Sequence, residues 1–110
     1  MTPVTKDASS PIWRVLPGEK PGMIRLTGEI DFSVAPKVRE QLLDALKTDA
    51  PEIVLDLSGL SYVDSSGLAL FIEARNMLAA AGRTIRIVAI SPQVSKIFHL
   101  TQLGELFGLS

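Results

Sequence analysis

The sequence predicts a single α/β domain in which a mixed sheet of four or five strands packs against helices. Its length of 110 residues suits one compact domain with one core. Short β-branched apolar runs alternate with segments of helical periodicity, and Gly- or Pro-containing turns separate many of them. Residues 1–11, rich in Thr, Ser and Pro, are predicted to form a flexible leader, so the folded domain is expected over residues 12–110.

Two strands are predicted at the start of the domain. The segments "IWRVL" (12–16) and "MIRLTG" (23–28) flank the turn-forming "PGEKPG". The short connection favours antiparallel pairing of these strands.

The first helix is predicted to begin after Ser33, whose hydroxyl is suited to cap it. Pro36 then falls in the first turn, where its missing N–H costs little. The segment Asp49-Ala50-Pro51 is expected to end the helix. Its apolar positions keep helical spacing: Ala35, Val38, Leu42, Ala45 and Leu46.

Two buried strands are predicted in the second half, "EIVLDL" (52–57) and "TIRIVAI" (84–90). We expect them to be parallel, joined by a right-handed crossover whose helical periodicity resumes at Leu68 and stops at Gly82. A last helix, "PQVSKIFHL", follows the capping residue Ser91, and the tail adds one helical turn. The following side chains are expected to be largely buried: Leu55, Leu57, Leu68, Phe71, Ile72, Ile87 and Phe98.

Composition excludes several classes of function. The net charge is -1, with 11 basic and 12 acidic side chains spread along the chain, which argues against nucleic-acid binding or an anionic membrane surface. Cysteine is absent and histidine occurs once, so we expect no disulfide, metal site or cofactor. No apolar run approaches the ~20 residues that span a bilayer, and the N-terminus lacks a secretory signal. These features predict a cytoplasmic protein without membrane insertion.

The segment "SYVDSSGLAL" (61–70) places Asp64, Ser65, Ser66 and Gly67 between a strand and a helix. In open α/β sheets the loops at the carboxyl ends of strands are where ligands and chemistry gather. A purely structural interpretation is also available, because Asp and Ser cap helices and Gly fits a tight turn. Ser65 is expected just ahead of the helix with its hydroxyl presented to solvent, and Ser66 is expected to cap or enter the helix.

Catalytic interpretations of this segment fit poorly. A serine hydrolase elbow needs glycine two residues on either side of the nucleophile, but Val63 stands where the first glycine is required. His99, the one imidazole, is predicted to be a surface or partly packed side chain. A nucleotide-binding loop would need more glycine and a lysine. We therefore expect no catalytic residue and no enzyme activity.

Phosphorylation of a serine in this segment is the interpretation that suits a switch. A phosphoserine carries about -1.5 to -2 charges at pH 7 and would gain from free N–H groups at a helix start, whereas the Asp64 carboxylate would repel it. The modified loop would therefore present a different surface to a partner protein.

Four segments together resemble the STAS domain of bacterial anti-sigma factor antagonists: "LTGEID" (26–31), "IVLDLSGL" (53–60), "SYVDSSGLAL" (61–70) and "AISPQVSKIFHLTQLGELF" (89–107). The resemblance runs from about residue 12 onward and predicts a STAS domain over 12–110. It implies a partner-switching cycle in which the unmodified antagonist binds an anti-sigma factor that is also a serine kinase. That kinase phosphorylates the first serine of the D-S-S-G segment, and a PP2C-type phosphatase reverses the modification.

Carried over to this chain, the resemblance makes Ser65 the phosphoacceptor. Ser66 and Gly67 would shape the loop beside it, Leu68 would complete the partner-binding surroundings, and Asp31 and Asp64 would match the family's acidic residues near the site. Both acids follow strands, so they could share one edge of the sheet, but the sequence leaves open whether they meet.

STAS domains also serve as subunits of lipid-trafficking ABC transporters and of other signalling complexes that lack a sigma factor. The apolar segment "GLALFIEARNMLAAAG" would suit such a role too. Transporter subunits of this type usually carry Thr in place of the double serine, so Ser65 and Ser66 favour the phosphorylated antagonist. Family members often continue with a further strand and helix beyond the last helix predicted here, so the resemblance leaves the C-terminal packing of this chain open.

Overall fold

The computed structural model describes residues 12–109, so the predicted leader over 1–11 lies outside the described residues. Strands and helices alternate along most of this range, as the sequence predicts. In chain order the elements are β1 (Trp13–Pro17), β2 (Met23–Ile30), α1 (Ala35–Ala45), β3 (Glu52–Val63), α2 (Ser65–Ala80), β4 (Thr84–Ile90), α3 (Pro92–Leu100) and a 3₁₀ helix (Gly104–Phe107).

The four strands form one mixed sheet in the order β1-β2-β3-β4. β1 and β2 pair antiparallel, while β2 with β3 and β3 with β4 pair parallel. The antiparallel hairpin, the parallel pairing of β3 with β4 and the mixed sheet are therefore confirmed. The lower of the two predicted strand counts is correct for the described residues.

β3 is twice as long as the sequence predicts, because pairing does not stop at Leu57 but runs to Val63. The segment after Leu57 contains Ser58 and Gly59, which we interpreted as the start of a loop. Two register shifts instead keep it hydrogen-bonded to β2, and Gly59 lies opposite Thr27. A Cβ on Gly59 would lie 2.7 Å from the Thr27 Cγ2, so glycine permits this close pairing. β2 likewise extends beyond its predicted end to Ile30.

The core lies on one face of the sheet. Alternate residues of the strands, such as Leu26, Leu55 and Ile87, are buried on that face. α1 and α2 lie in the connections from β2 to β3 and from β3 to β4, and their buried residues join the same core cluster as those of the strands. The opposite face carries charged side chains, including the Arg25–Asp56 and Arg86–Glu52 ion pairs at 3.7 and 3.1 Å.

Aromatic rings join α2, α3 and the 3₁₀ helix. The centroids of Phe71 and Phe98 are 6.0 Å apart, and Phe98 meets Phe107 edge-on at 5.6 Å. α3 begins as predicted, since the Ser91 hydroxyl accepts a hydrogen bond from the Val94 N–H at 3.3 Å. The helical turn predicted in the tail is present as the 3₁₀ helix, and it places Phe107 in the core.

Three local predictions about α1 and α2 are wrong. Ser33 does not cap α1, because its hydroxyl donates to Asp31 Oδ1 at 2.6 Å and the cap position falls to Val34. α1 also ends at Ala45, earlier than the predicted stop at 49–51. Ile72 is only half-buried, because the side of α2 that faces the core carries other residues, including Leu68, Phe71 and Ala74.

Other core predictions hold. The predicted positions Leu55, Leu57, Leu68, Phe71, Ile87 and Phe98 are all buried. Pro36 lies in the first turn of α1 as expected, and Gly82 follows α2 closely. Within residues 12–109, none of the helices has the length and apolar character needed to cross a bilayer.

Candidate functional site

The loops that follow β2 and β3 meet at one edge of the sheet. Ile30 and Val63 are paired at the ends of these parallel strands, and the Asp64 N–H donates to the Ile30 carbonyl at 3.1 Å. Asp31 and Asp64 therefore each follow the last residue of neighbouring strands. The sequence left open whether these loops meet, and the structure brings them together.

Asp64 binds both loops through its two carboxylate oxygens. Its Oδ1 accepts hydrogen bonds from the backbone N–H groups of Ser66 and Gly67 at 2.9 and 3.2 Å. Its Oδ2 accepts from the Phe32 N–H, in the loop between β2 and α1, at 3.0 Å. One side chain thus caps α2 and fixes the neighbouring loop against it.

This capping corrects the prediction for the start of α2. The sequence suggested that Ser65 precedes the helix, that Ser66 caps or enters it, and that periodicity resumes at Leu68. In the structure Asp64 is the capping residue and Ser65 is the first residue of the helix. A carboxylate at this position also interacts favourably with the positive end of the helix dipole.

The Asp31 carboxylate is held within its own loop. Its Oδ1 accepts hydrogen bonds from the N–H and the hydroxyl of Ser33 at 2.9 and 2.6 Å, and its backbone carbonyl accepts from the N–H groups of Val34 and Ala35. The hydrogen bond from the Ser33 hydroxyl is the main reason that the pKa of the Asp31 carboxyl is lowered; partial desolvation opposes the effect. Asp31 is therefore ionised at neutral pH.

Gly67 lets the first turn of α2 rest directly on the strand ends. A Cβ at this position would lie 2.2 Å from the Val63 Cγ2 and 3.1 Å from the Ile30 Cγ2, and both of those side chains are buried. The next residue, Leu68, is itself buried and anchors the turn in the core. The position of the serines at this edge is thus set by close packing.

The two serines differ in accessibility. Ser65 is exposed, whereas Ser66 is half-buried in the first turn of α2. The backbone N–H groups of Ser66 and Gly67, which could stabilise an anion at a helix start, are already bonded to Asp64. A phosphate on Ser65 would therefore lie beside a carboxylate that occupies those donors.

Phe32 is the residue at this edge that the sequence analysis missed. It lies between Asp31 and Ser33, and 75% of its surface is exposed. Its place after "GEID" carried no pattern that marks an exposed aromatic residue, because an apolar letter beside a predicted helix start is typical of packing. Only the hydrogen bond of its N–H to Asp64 reveals that it belongs to the site.

Ser65 does not line the main concavities of residues 12–109. One concavity of about 590 Å³ lies between the hairpin turn and α1, and another of about 880 Å³ lies beside α3 and the 3₁₀ helix; neither includes Ser65. Among residues 12–109, no group of three or more His, Cys, Asp or Glu side chains is arranged to hold a metal ion. His99 is exposed near the end of α3.

Known proteins resemble this chain over most of its length. The model of the STAS domain family matches residues 14–110. An anti-sigma-B factor antagonist of Staphylococcus aureus (strain NCTC 8325 / PS 47) is 28% identical over 83 residues, which cover 76% of this chain and 77% of that protein. An anti-sigma-B factor antagonist of Staphylococcus epidermidis is 26% identical over the same shares of the two chains.

Solved structures show the same fold. An anti-sigma factor antagonist from Mycobacterium paratuberculosis superimposes with a TM-score of 0.76 and 26% identity, covering 88% of this chain and 84% of its own. The anti-sigma factor antagonist SpoIIAA in its unphosphorylated form gives a TM-score of 0.67 at 23% identity, covering 86% of this chain and 84% of its own. At that identity the second likeness is evidence for the fold alone.

Proposed function

The chain belongs to the STAS domain family, and from that premise we propose that it is an anti-sigma factor antagonist that works by partner switching. In its unmodified form it binds an anti-sigma factor that is also a serine kinase. Phosphorylation of Ser65 by that kinase releases it, and a PP2C-type phosphatase restores the binding form. The names of the relatives favour this role over that of a transporter subunit.

The observation that carries the proposal is the exposed position of Ser65 at the fixed start of α2. Ser65 is the first residue of α2, and the hydrogen bonds of Asp64 hold the turn around it. A kinase can reach this residue without unfolding the helix. Ser66 is half-buried one residue further along, which makes it the poorer acceptor.

The added charge explains how one phosphate would weaken binding, because a partner that covers Ser65 closely must remove water from the phosphate. Phosphorylation adds about -1.5 to -2 charges at pH 7 beside Asp64 and on the same edge as Asp31. The N–H groups of Ser66 and Gly67 are bonded to Asp64, so these two groups offer the phosphate little compensation. At a closely packed interface each ~1.4 kcal/mol of added repulsion or desolvation lowers the affinity tenfold.

The fold around Ser65 is expected to change little on modification. Gly67 packs the first turn of α2 against Ile30 and Val63, and Asp64 joins that turn to the neighbouring loop. The partner would therefore detect a change of charge on a surface of constant shape.

The role requires no catalytic residue in this chain. Anti-sigma factor antagonists of this family generally act by binding without catalysing a reaction. We accordingly propose that the purified protein does not hydrolyse esters or phosphoesters.

The test is phosphorylation by the cognate anti-sigma factor kinase, followed by mapping of the modified residue by mass spectrometry. Wild-type protein and the Ser66→Ala variant should both carry phosphate on Ser65, whereas Ser65→Ala should carry none. Ser66→Ala is the matched control because it removes the same hydroxyl from the neighbouring residue. Phosphate found only on Ser66, or unaltered phosphorylation of Ser65→Ala, would contradict the assignment.

A further inference from the structure

Phe32 is unusual among the exposed apolar side chains because of where it lies. Single exposed apolar residues are common on protein surfaces and need no special explanation. Phe32, however, is 75% exposed and immediately follows Asp31 at the edge that also presents Ser65. Leu100 is similarly exposed, at 71%, but it ends α3, whose start and not its end lies at the carboxyl edge of the sheet.

The backbone that presents Phe32 is fixed on both sides. Its own N–H donates to Asp64 Oδ2 at 3.0 Å. The next residue, Ser33, is bonded through its N–H and hydroxyl to Asp31 Oδ1. An aromatic side chain on such a pre-organised loop loses little conformational freedom when a partner covers it.

Phe32 and Ser65 are joined through a single side chain. One oxygen of Asp64 holds the Phe32 N–H and the other caps the helix that Ser65 begins. The backbone of Phe32 is therefore held beside the start of α2, so its exposed side chain and Ser65 belong to the same edge of the sheet. Buried aromatic residues are frequent among the few side chains that supply most of the affinity at protein interfaces.

The charges around Phe32 define the chemistry of a complementary surface. Asp31 is ionised at neutral pH and directly precedes the ring in the chain, and Asp64 holds its backbone. An apolar pocket would cover the ring, and a cationic group at the rim of that pocket would pair with the acidic edge.

We infer that Phe32 is the aromatic anchor of the interface with the anti-sigma factor, and that it enters an apolar pocket of that protein with a cationic side chain at its rim. This inference rests on the proposed function and names the contact that supplies its affinity. Phe32 then contributes affinity for the anti-sigma factor, and phosphorylation of Ser65 lowers that affinity. A phosphate at Ser65 would have to be desolvated at this closely packed interface, and that cost, together with the bulk of the group, would oppose binding.

Binding measurements on Phe32→Ala, Phe32→Leu and Leu100→Ala test the inference. The probe is the anti-sigma factor of the source bacterium that binds the wild-type protein, identified by titrating its purified anti-sigma factors one at a time. Phe32→Ala should weaken binding at least about 30-fold, which corresponds to about 2 kcal/mol. Phe32→Leu should recover part of that loss, and Leu100→Ala, the equally exposed control, should bind within about threefold of wild type. Circular dichroism should show all three variants folded, since both positions are exposed.

The possible failures are distinguishable. If wild-type protein binds but Phe32→Ala binds equally well, or loses no more than Leu100→Ala, the anchor is refuted while the proposed function stands. If sedimentation shows that Phe32→Ala instead abolishes self-association of the free protein, the ring serves a contact between copies and the inference is overturned. If no anti-sigma factor binds the wild-type protein, the proposed function fails and the inference fails with it.

Discussion

Asp64→Ala is expected to destabilise the protein substantially, because the Asp64 carboxylate accepts hydrogen bonds from two segments of the chain. Its Oδ1 caps α2 through the N–H groups of Ser66 and Gly67, and its Oδ2 accepts the Phe32 N–H. Loss of a helix cap costs about 1 kcal/mol, and a hydrogen bond to a charged acceptor contributes about 1.5 to 3 kcal/mol. Because Asp64 is only half-buried, we take the lower part of that range and expect a loss of about 2 to 3 kcal/mol.

Asp64→Asn separates the two contributions. Asparagine is as good a capping residue as aspartate, but its single amide oxygen can serve only one of the two segments. We expect a loss of about 1 to 2 kcal/mol, between those of wild type and Asp64→Ala. Asp44→Asn is the matched control, because the Asp44 side chain is 80% exposed and such surface changes stay within about 0.5 kcal/mol.

Urea denaturation of the three variants measures these differences, and amide hydrogen exchange locates them. Asp64→Ala should reduce the protection of the amides of Phe32, Ser66 and Gly67 together. Asp64→Asn should reduce the protection mainly in one of the two segments, either at Phe32 or at Ser66 and Gly67. An Asp64→Ala variant no less stable than Asp44→Asn, or an Asp64→Asn variant equal to wild type in both measurements, would show that the Asp64 carboxylate does not stabilise both segments.

Two further variants probe the same edge of the sheet. Gly67→Ala should lower the free energy of unfolding, measured in urea, by about 1 to 2 kcal/mol. The new Cβ would lie 2.2 Å from the Val63 Cγ2 and 3.1 Å from the Ile30 Cγ2, and this overpacking exceeds the gain in helix propensity. Unchanged stability would contradict this packing. Ser33→Ala should raise the pKa of Asp31 toward its ordinary value of 3.8, and an unchanged carboxyl titration by NMR would contradict the assigned hydrogen bond. Because the pKa of the Asp31 carboxyl is lower in the folded state, the ionised carboxylate stabilises the fold above pH 3.8, and this contribution is lost as the pH falls through the folded pKa. The difference in stability between wild type and Ser33→Ala should therefore shrink on acidification below pH 3.8.

Most of the sheet follows from local sequence patterns. β2, β3 and β4 begin at Met23, Glu52 and Thr84, as predicted, because short β-branched apolar runs between turn residues favour buried strands. The far end of β3 was not predictable in this way. Gly59 resembles a turn residue locally, but its pairing with Thr27 depends on register shifts between two strands, which no local pattern records.

The sequence predicted which loops hold the acidic residues of the site, but not the hydrogen bonds between those loops. The sequence placed Asp31 and Asp64 after strands, but the bond from the Phe32 N–H to Asp64 depends on tertiary register and therefore required the structure. Ser33 has the chemistry of a helix cap, but its hydroxyl donates a hydrogen bond to the carboxylate of Asp31, two residues earlier. Local competition of this kind determines whether a side chain with capping chemistry caps the helix at all.

Partner switching through Ser65 can be tested by isothermal titration calorimetry of the anti-sigma factor with the unmodified protein and with the protein phosphorylated on Ser65. We expect phosphorylation to weaken binding at least tenfold, which corresponds to about 1.4 kcal/mol, with circular dichroism unchanged between the two forms. Ser65→Asp should reproduce part of the loss, and Ser65→Ala should bind like the unmodified protein after exposure to the kinase and ATP. Equal affinity of the anti-sigma factor for the two forms would contradict partner switching through Ser65.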